Sequence, residues 1–326
     1  MKTKIAIAKL AVGFALLPAS VAATAQQVAP TTSDSVSTVY FIKDINSENL
    51  LKIYNALDRR ATGKICVKLS FGEEGNPNHL APELIAPLVK GLNATLVECN
   101  TAYKSSRRQS SDHLKTAKEH GFTAIAPIDI MDEAGETALP VKNGKHIDYA
   151  LIGKNWLDYD YTIVLSHFKG HPMGGFGGAL KNMAIGMQSS NGKAWVHTAG
   201  KNQNADDWWN DGAAQNDFLE TMAESSKAIM DHAGDRILYI SVANNLSVDC
   251  DCVAHPEPVR MADIGIFASL DPVALDRACV DAVRNSTDHG KIHLEKRIAD
   301  RNGTHILDYA ESIGLGTQKY VLITIE

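Results

Sequence analysis

Strand-like and helix-like patterns alternate along most of the chain. "STVYFIKD" (37–44) and "KICVKLSF" (64–71) are short apolar runs of strand-like composition. Between them, "SENLLKIYNALD" repeats apolar positions at three- and four-residue intervals, as one helix face does. "LAPELIAPLVKGL" is a second such helix with Gly91 near its end, and "ATLVEC" returns to strand. The pattern predicts a helix over 110–120 leading to "FTAIAPID", and a strand over 161–168, "YTIVLSHF". A long helical region follows Asp206 and ends near "ESSKAIMDHA". "ILYISVA" and "DIGIFA" are further strands, and Asp271-Pro272 opens a helix as N-cap and first-turn proline. Helix "HILDYAESIG" and strand "YVLITIE" close the chain. Such alternation predicts an α/β protein, a mostly parallel sheet with flanking helices, as one compact domain or two lobes. Binding residues of such sheets gather in loops beyond the carboxyl ends of strands, which selects 100–108, 167–193 and 249–255.

The first residues break the pattern. Lys2 and Lys4, an apolar run and Ala23-Thr24-Ala25 read as a signal peptide over 1–25, followed by a flexible polar lead-in, 26–36. The competing reading is an uncleaved membrane anchor, although Lys9 and Pro18 interrupt the run. Later apolar runs are too short to span a bilayer. The mature protein is therefore expected to be exported, periplasmic or secreted, with no integral membrane segment and with its α/β domain over 37–326.

Composition narrows the partners. A hydrophobic content of 44% and a charged content of 21% are those of a globular chain. With a net charge of −6 and no basic stripe, nucleic acid is not an expected partner; a small anionic molecule is, and no feature selects a protein partner. Five cysteines are too few and too unevenly spaced for a disulfide scaffold. Cys66 and Cys99 lie in strand-like runs and read as buried apolar residues.

The chemistry concentrates in Ser166–His197, which holds three histidines, three lysines and seven of the 24 glycines. It is not a Walker loop: Gly186 and Gly192 are separated by five residues, and Ala194 stands where a hydroxyl residue is needed after Lys193. It is not a dinucleotide fingerprint, because Leu180 occupies the last glycine position of the run from Gly175. His167 and His171 have the i, i+4 spacing of paired metal ligands, provided the backbone is helical. Downstream, "DCDCVAHPE" places Cys250, Cys252 and His255 as C-x-C-x2-H. Thiolate and imidazole together suit zinc or an iron centre, with His167 as a further ligand; the alternative is a disulfide. Tyr103, Lys104, Arg107 and Arg108 stand between a strand end and a helix start, where cations and helix amides favour an anion; a solvated surface cluster is the plainer reading. Trp208 and Trp209 read as packing at a helix start, and Asp271 as a cap.

Residues 65 to 313 resemble the family catalogued as domain of unknown function 362, often labelled iron–sulfur-centre protein. The resemblance is carried by "VKLSFGEEGNPNHLAPELIAPLV", "ECNTAYKSSRRQSSDHLKTAKEHGF", "SHFKGHPMGGFGGALKNMAIGM", "GKAWVH" and "CDCVAHPEPVRMADIGIFASLDPVALDRACVD". Many relatives carry a ferredoxin-like insert after the equivalent of His197. Here "TAGKNQNADDWWNDGAAQNDFLETMAE" contains no cysteine, so no ferredoxin-type cluster is expected. His171, Gly174, Gly175, Gly177, Gly178, Lys181 and His197 are also distantly similar in arrangement to the lactate racemase family. That family holds a nickel-pincer nucleotide. The resemblance implies Lys181 as the cofactor lysine, His197 as the nickel ligand and His171 as an acid–base histidine. A further histidine of that family has no clear counterpart, His113 being the nearest candidate.

Together these readings predict a metal-associated enzyme acting on a small anionic substrate. His171, Lys181 and His197 are its catalytic candidates. Gly174, Gly175, Gly177, Gly178, Lys181, Arg107 and Arg108 are its cofactor-binding candidates, and Cys250, Cys252, His255 and His167 its metal ligands. The alternatives are a metal or small-anion binding protein without turnover, and a degenerate electron-transfer relative.

Overall fold

The structure is a computed structural model and describes residues 35–326. The predicted signal peptide (1–25) and all but the last two residues of the lead-in (26–36) lie outside the described residues. In chain order the elements are β1 (Ser37–Ile42), α1 (Ser47–Ala56), β2 (Ile65–Lys68), α2 (Pro82–Gly91), β3 (Thr95–Glu98), α3 (Ser110–Glu119) and β4 (Ile128–Ile130). Next come β5 (Glu136–Pro140), β6 (Tyr149–Gly153), β7 (Tyr161–His167), β8 (Lys169–His171), β9 (Gly175–Gly177), α4 (Ala179–Ala184), α5 (Ser190–His197) and α6 (Gln215–Ala233). The chain closes with β10 (Ile237–Ala243), β11 (Gly265–Ser269), α7 (Pro272–Asn285), α8 (Lys291–Asp300), α9 (His305–Ser312) and β12 (Tyr320–Thr324).

Eight strands form one sheet in the order β12-β1-β11-β10-β7-β2-β3-β4. All run parallel except β11, which is antiparallel to both β1 and β10. Every residue of β7 and β10 is buried, as expected of central strands covered on both faces. Alternate residues feed two cores. Val164, Tyr239 and Phe267 join the layer beneath α4, α6, α7 and α9; Ile163, Ile240 and Ile266 join the layer beneath α1 and α2. The result is a single compact α/β domain rather than two lobes.

The local signals explain several boundaries. Asp271 caps α7, its side chain accepting from the Val273 and Ala274 amides at 2.8 and 3.1 Å, with Pro272 beginning the helix. Asn46 and Ser189 cap α1 and α5 in the same way. Other boundaries differ from the pattern. The expected strand over 161–168 stops at His167, and the chain turns into the β8–β9 hairpin, whose three-residue strands are too short to show a period. The helical region expected after Asp206 begins only at Gln215, preceded by a loop that positions Trp208 and Trp209.

Candidate active site

The carboxyl ends of β2, β3, β7 and β10 open into one cavity of about 300 Å³. Each strand delivers chemistry there: Lys68 ends β2, Glu98 ends β3, His167 ends β7, and the chain beyond β10 brings Cys250, Asp251 and Cys252. Gly170 lets the last of these loops approach β8, since a Cβ at that position would lie 2.2 Å from the Val248 carbonyl oxygen. α4 and α5 contribute Lys181 and Asn182, and Lys193 and His197.

Two histidines face the cavity in opposite states. His171 Nδ1 accepts from the amides of Gly174 at 2.8 Å and Met173 at 3.2 Å. A backbone amide can only donate, so the proton of this neutral imidazole sits on Nε2. His197 Nδ1 lies 2.6 Å from the Lys193 carbonyl, which can only accept. Its proton is therefore on Nδ1, and Nε2 keeps a bare lone pair with no hydrogen-bond partner among the described residues. Burial, with Lys181 adding to it, holds His171 well below the usual histidine range. Burial lowers His197 to about 4, against the Lys193 carbonyl, and both rings are neutral at pH 7. Phe218 stacks on His197 at 4.9 Å and Trp208 tilts against it at 4.8 Å, which fixes the ring.

Lys181, in the first turn of α4, has no hydrogen-bond or ion-pair partner among the described residues. Burial lowers it to about 7, and Lys169 pushes in the same direction. Its helix is held from behind: the Ala179 and Leu180 amides donate to the Asp276 carboxylate at 2.7 and 3.0 Å. Burial raises Asp276 to about 7 despite those two amides. Gly178 makes this clamp possible, because a Cβ there would lie 2.3 Å from Asp276 Oδ1.

The other cations around the cavity are engaged. Lys68 donates to the Leu69 carbonyl and to Asn182 Oδ1, and burial lowers it to about 8. Lys193 donates to the Gln188 carbonyl at 2.6 Å. Lys169 pairs with Asp251, whose other oxygen takes His167 Nδ1 at 2.9 Å. Arg107 binds Glu98 at 2.9 Å and Glu73 at 3.3 Å. Burial would raise Glu98, but Arg107 and then His113 hold it well below the usual carboxylate range. Lys68, Lys169, Lys193 and Arg107 thus meet three carboxylates, Glu73, Glu98 and Asp251, with Lys181 adding a further charge when protonated, in a chain of net charge −6. The cavity is a local positive site.

The predicted residues separate accordingly. His171, Lys181, His197, Gly177, Gly178 and Arg107 line the cavity, as do Cys250, Cys252 and His167. Gly174 holds His171, and Gly175 turns the hairpin at φ +82 against Gly303. Arg108 pairs outward with Asp206. Cys250 and Cys252 are joined in a disulfide. That bridge removes the thiolates on which zinc or iron ligation depends. It closes a three-residue loop, worth about 1–2 kcal/mol in chain-entropy terms against about 3 for a fifteen-residue loop. The imidazole grouped with the two sulfurs is His171; His255 is exposed and lines a neighbouring surface pocket with Glu73, Tyr103, Lys104 and Cys252. Both His167 nitrogens are occupied, by Asp251 and by the Asn244 carbonyl at 2.6 Å. His113 is buried behind the wall on Glu98 and Asn100.

The sequence reading missed Lys68, Lys169, Lys193, Glu98 and Asp251. Lys68 had left a signal, a lysine within the apolar segment Ile65–Leu69. Trp208 is buried as expected, its indole donating to the Ala102 carbonyl at 2.7 Å, while Trp209 is exposed at the cavity rim.

These features define an α/β protein with a buried, cationic cavity at the carboxyl edge of its sheet. Residues 65–281 match the family described as "Domain of unknown function (DUF362)", and the chain belongs to that family. No curated protein matches the chain. Among solved structures, a Thermotoga maritima protein from a structural genomics consortium is similar at 12% identity and a TM-score of 0.42, covering 73% of this chain and 58% of that one. The lactate racemase apoprotein of Thermoanaerobacterium thermosaccharolyticum is similar at 12% identity and a TM-score of 0.37, covering 64% of this chain and 51% of that one. The chain thus spans between half and three-fifths of the length of these two proteins.

Proposed function

We propose that the cavity is the active site of an enzyme that acts on a small anionic carbonyl or carboxylate compound. The observation that carries this reading is Lys181, a partnerless amine lowered to about 7, beside one imidazole presenting N–H and another presenting a lone pair. The cation excess holds the anion. His171 Nε2–H donates to the substrate oxygen as a neutral imidazole, which polarises without carrying charge. Lys181, with its neutral form well populated near pH 7, is the base or nucleophile. His197 Nε2 accepts a hydrogen bond or a proton from the reacting centre. The convergence of these groups on one buried cavity supports an enzyme over a binding protein, whose ligands need no acid–base complement.

The same residues fit a lysine-attached, metal-bearing nucleotide. Lys181 offers a free amine for acylation, and Lys68 and Lys193 offer positive charge without a carboxylate partner. His197 offers a bare Nε2 with its Nδ1–H on a carbonyl, the usual second partner of a metal-bound histidine. A nickel-pincer nucleotide held there would supply metal-centred redox chemistry that no side chain provides. We also infer export from the cytoplasm, independently of any cofactor, with which the Cys250–Cys252 bridge agrees. Among the described residues no helix is long and apolar enough to cross a membrane.

Intact-mass and elemental analysis of protein from its native host, with calorimetry against a panel of small carboxylates, tests the proposal. A Lys181 adduct, or carboxylate binding lost in Lys181→Ala, is expected. An unmodified Lys181 with no binding in the panel overturns it.

A further inference from the structure

The Cys250–Cys252 bridge has no part in the chemistry above, and three observations set it apart from a structural staple. Its loop is held without it. Asp251, between the two cysteines, is fixed by His167 and Lys169 through its side chain and by the Glu73 amide at 2.7 Å through its carbonyl. Asn76 Nδ2 secures the Val253 carbonyl at 2.7 Å. A three-residue loop is also where a cross-link removes little chain entropy.

The two sulfurs differ in access. Cys250 is 2% exposed, whereas Cys252 is half-buried and lines both the cavity and the surface pocket. Donors for thiolates are already in place. The Cys252 amide points at Cys250 Sγ from 3.3 Å, and His171 Nε2, which carries its ring's proton, lies 4.0 Å from Cys252 Sγ. Lys181 lines the same cavity, and Lys169 offsets the Asp251 carboxylate that lies between the two cysteines. Thiolates form and leave most readily where donors and cations surround a partly accessible sulfur.

We propose that Cys250 and Cys252 are a redox-active pair that exchanges with small thiols, Cys252 being the sulfur attacked and Cys250 the thiolate released. A thiolate forms a bond to Cys252 Sγ, and the Cys250–Cys252 bond breaks with its electron pair going to Cys250. The Cys252 amide stabilises that thiolate. A second thiolate then attacks the outer sulfur of the mixed disulfide and releases Cys252, whose sulfur takes the hydrogen bond of His171. Two thiols become one disulfide, the protein bridge becomes a dithiol, and the two thiol protons end on the cysteines. Run in reverse, the dithiol reduces a small disulfide. This chemistry shares His171 with the acid–base reading of the cavity but does not depend on that reading.

Folded protein treated with dithiothreitol without denaturant, then alkylated with iodoacetamide and mapped by peptide mass spectrometry, tests it. Cys252 should be alkylated, with the buried Cys66, Cys99 and Cys279 unlabelled. A bridge that opens only in denaturant overturns the proposal. In Cys250→Ser, oxidised glutathione should leave a lasting adduct on Cys252, while in Cys252→Ser, Cys250 takes up none in the same time. Equal uptake, or none by Cys252, also overturns it. His171→Phe and His171→Asn, checked for folding by circular dichroism, should slow reduction at least tenfold; an unchanged rate in both removes His171 from the step.

Discussion

Arg107 and Lys181 are both basic residues lining one cavity, Arg107 between β3 and α3 and Lys181 in α4, and the sequence made both cofactor-binding candidates. The structure gives them opposite situations. Arg107 is fully buried and locked by Glu98 and Glu73, so its charge is spent inside the protein. Lys181 has no partner among the described residues and lies at about 7. A guanidinium stays charged and suits a permanent pair, whereas an ammonium can lose its proton when burial disfavours charge. Carboxylate partners and residue type together separate the locked cation from the reactive one here.

The largest test of that contrast is stability. Arg107→Ala leaves Glu98 and Glu73 buried without their cation and should cost about 3–5 kcal/mol in urea unfolding. Lys181→Ala loses no hydrogen bond or ion pair and removes a buried charge, so it should not destabilise the fold at pH 7. Similar losses in both would erase the distinction. Next, amine-reactive labelling of Lys181 should have its midpoint near pH 7, while exposed lysines follow a midpoint of about 10.4. Labelling at the ordinary midpoint would place Lys181 with the paired cations.

Linkage gives a third test. The folded value of about 7 lies below the ordinary 10.5, so between them the unfolded chain binds more protons at this site. Stability from this group therefore rises with pH across that window, and the burial penalty is full below it. Lys181→Met should remove the rise, as read from unfolding free energies at pH 7 and pH 10. Asp276→Ala should cost about 1–3 kcal/mol by leaving two buried amides unpaired. It should also move the Lys181 labelling midpoint upward as α4 loosens. Arg107→Lys should cost about 1–2 kcal/mol, less than Arg107→Ala, because an ammonium keeps the charge but cannot reproduce the guanidinium's contacts to two carboxylates.

The fold was largely legible because local signals and the β-α alternation agree. Helix 110–120, the strand from Tyr161 and the Asp271-Pro272 start all appear close to where the pattern put them. The reversal of β11 and the β8–β9 hairpin were not, since strand direction depends on pairing with distant strands. At the site, the nearby residues His171, Lys181 and His197 stood out in one glycine-rich stretch. The carboxylates that separate paired from free cations come from elsewhere: Glu98 from β3, and Asp251 from beyond β10. Histidine tautomers were equally out of reach, because they depend on which backbone atom each ring nitrogen meets.

The Asp276 clamp has a mechanical consequence. The two amides that bind it open the helix carrying Lys181, and Gly178 leaves no slack between α4 and α7. The height of the lysine above the sheet is thus set by a helix that begins almost a hundred residues later, at Pro272. α7 is the bench on which the reactive amine is mounted, and a shift of its first turn is transmitted to the cavity through one carboxylate.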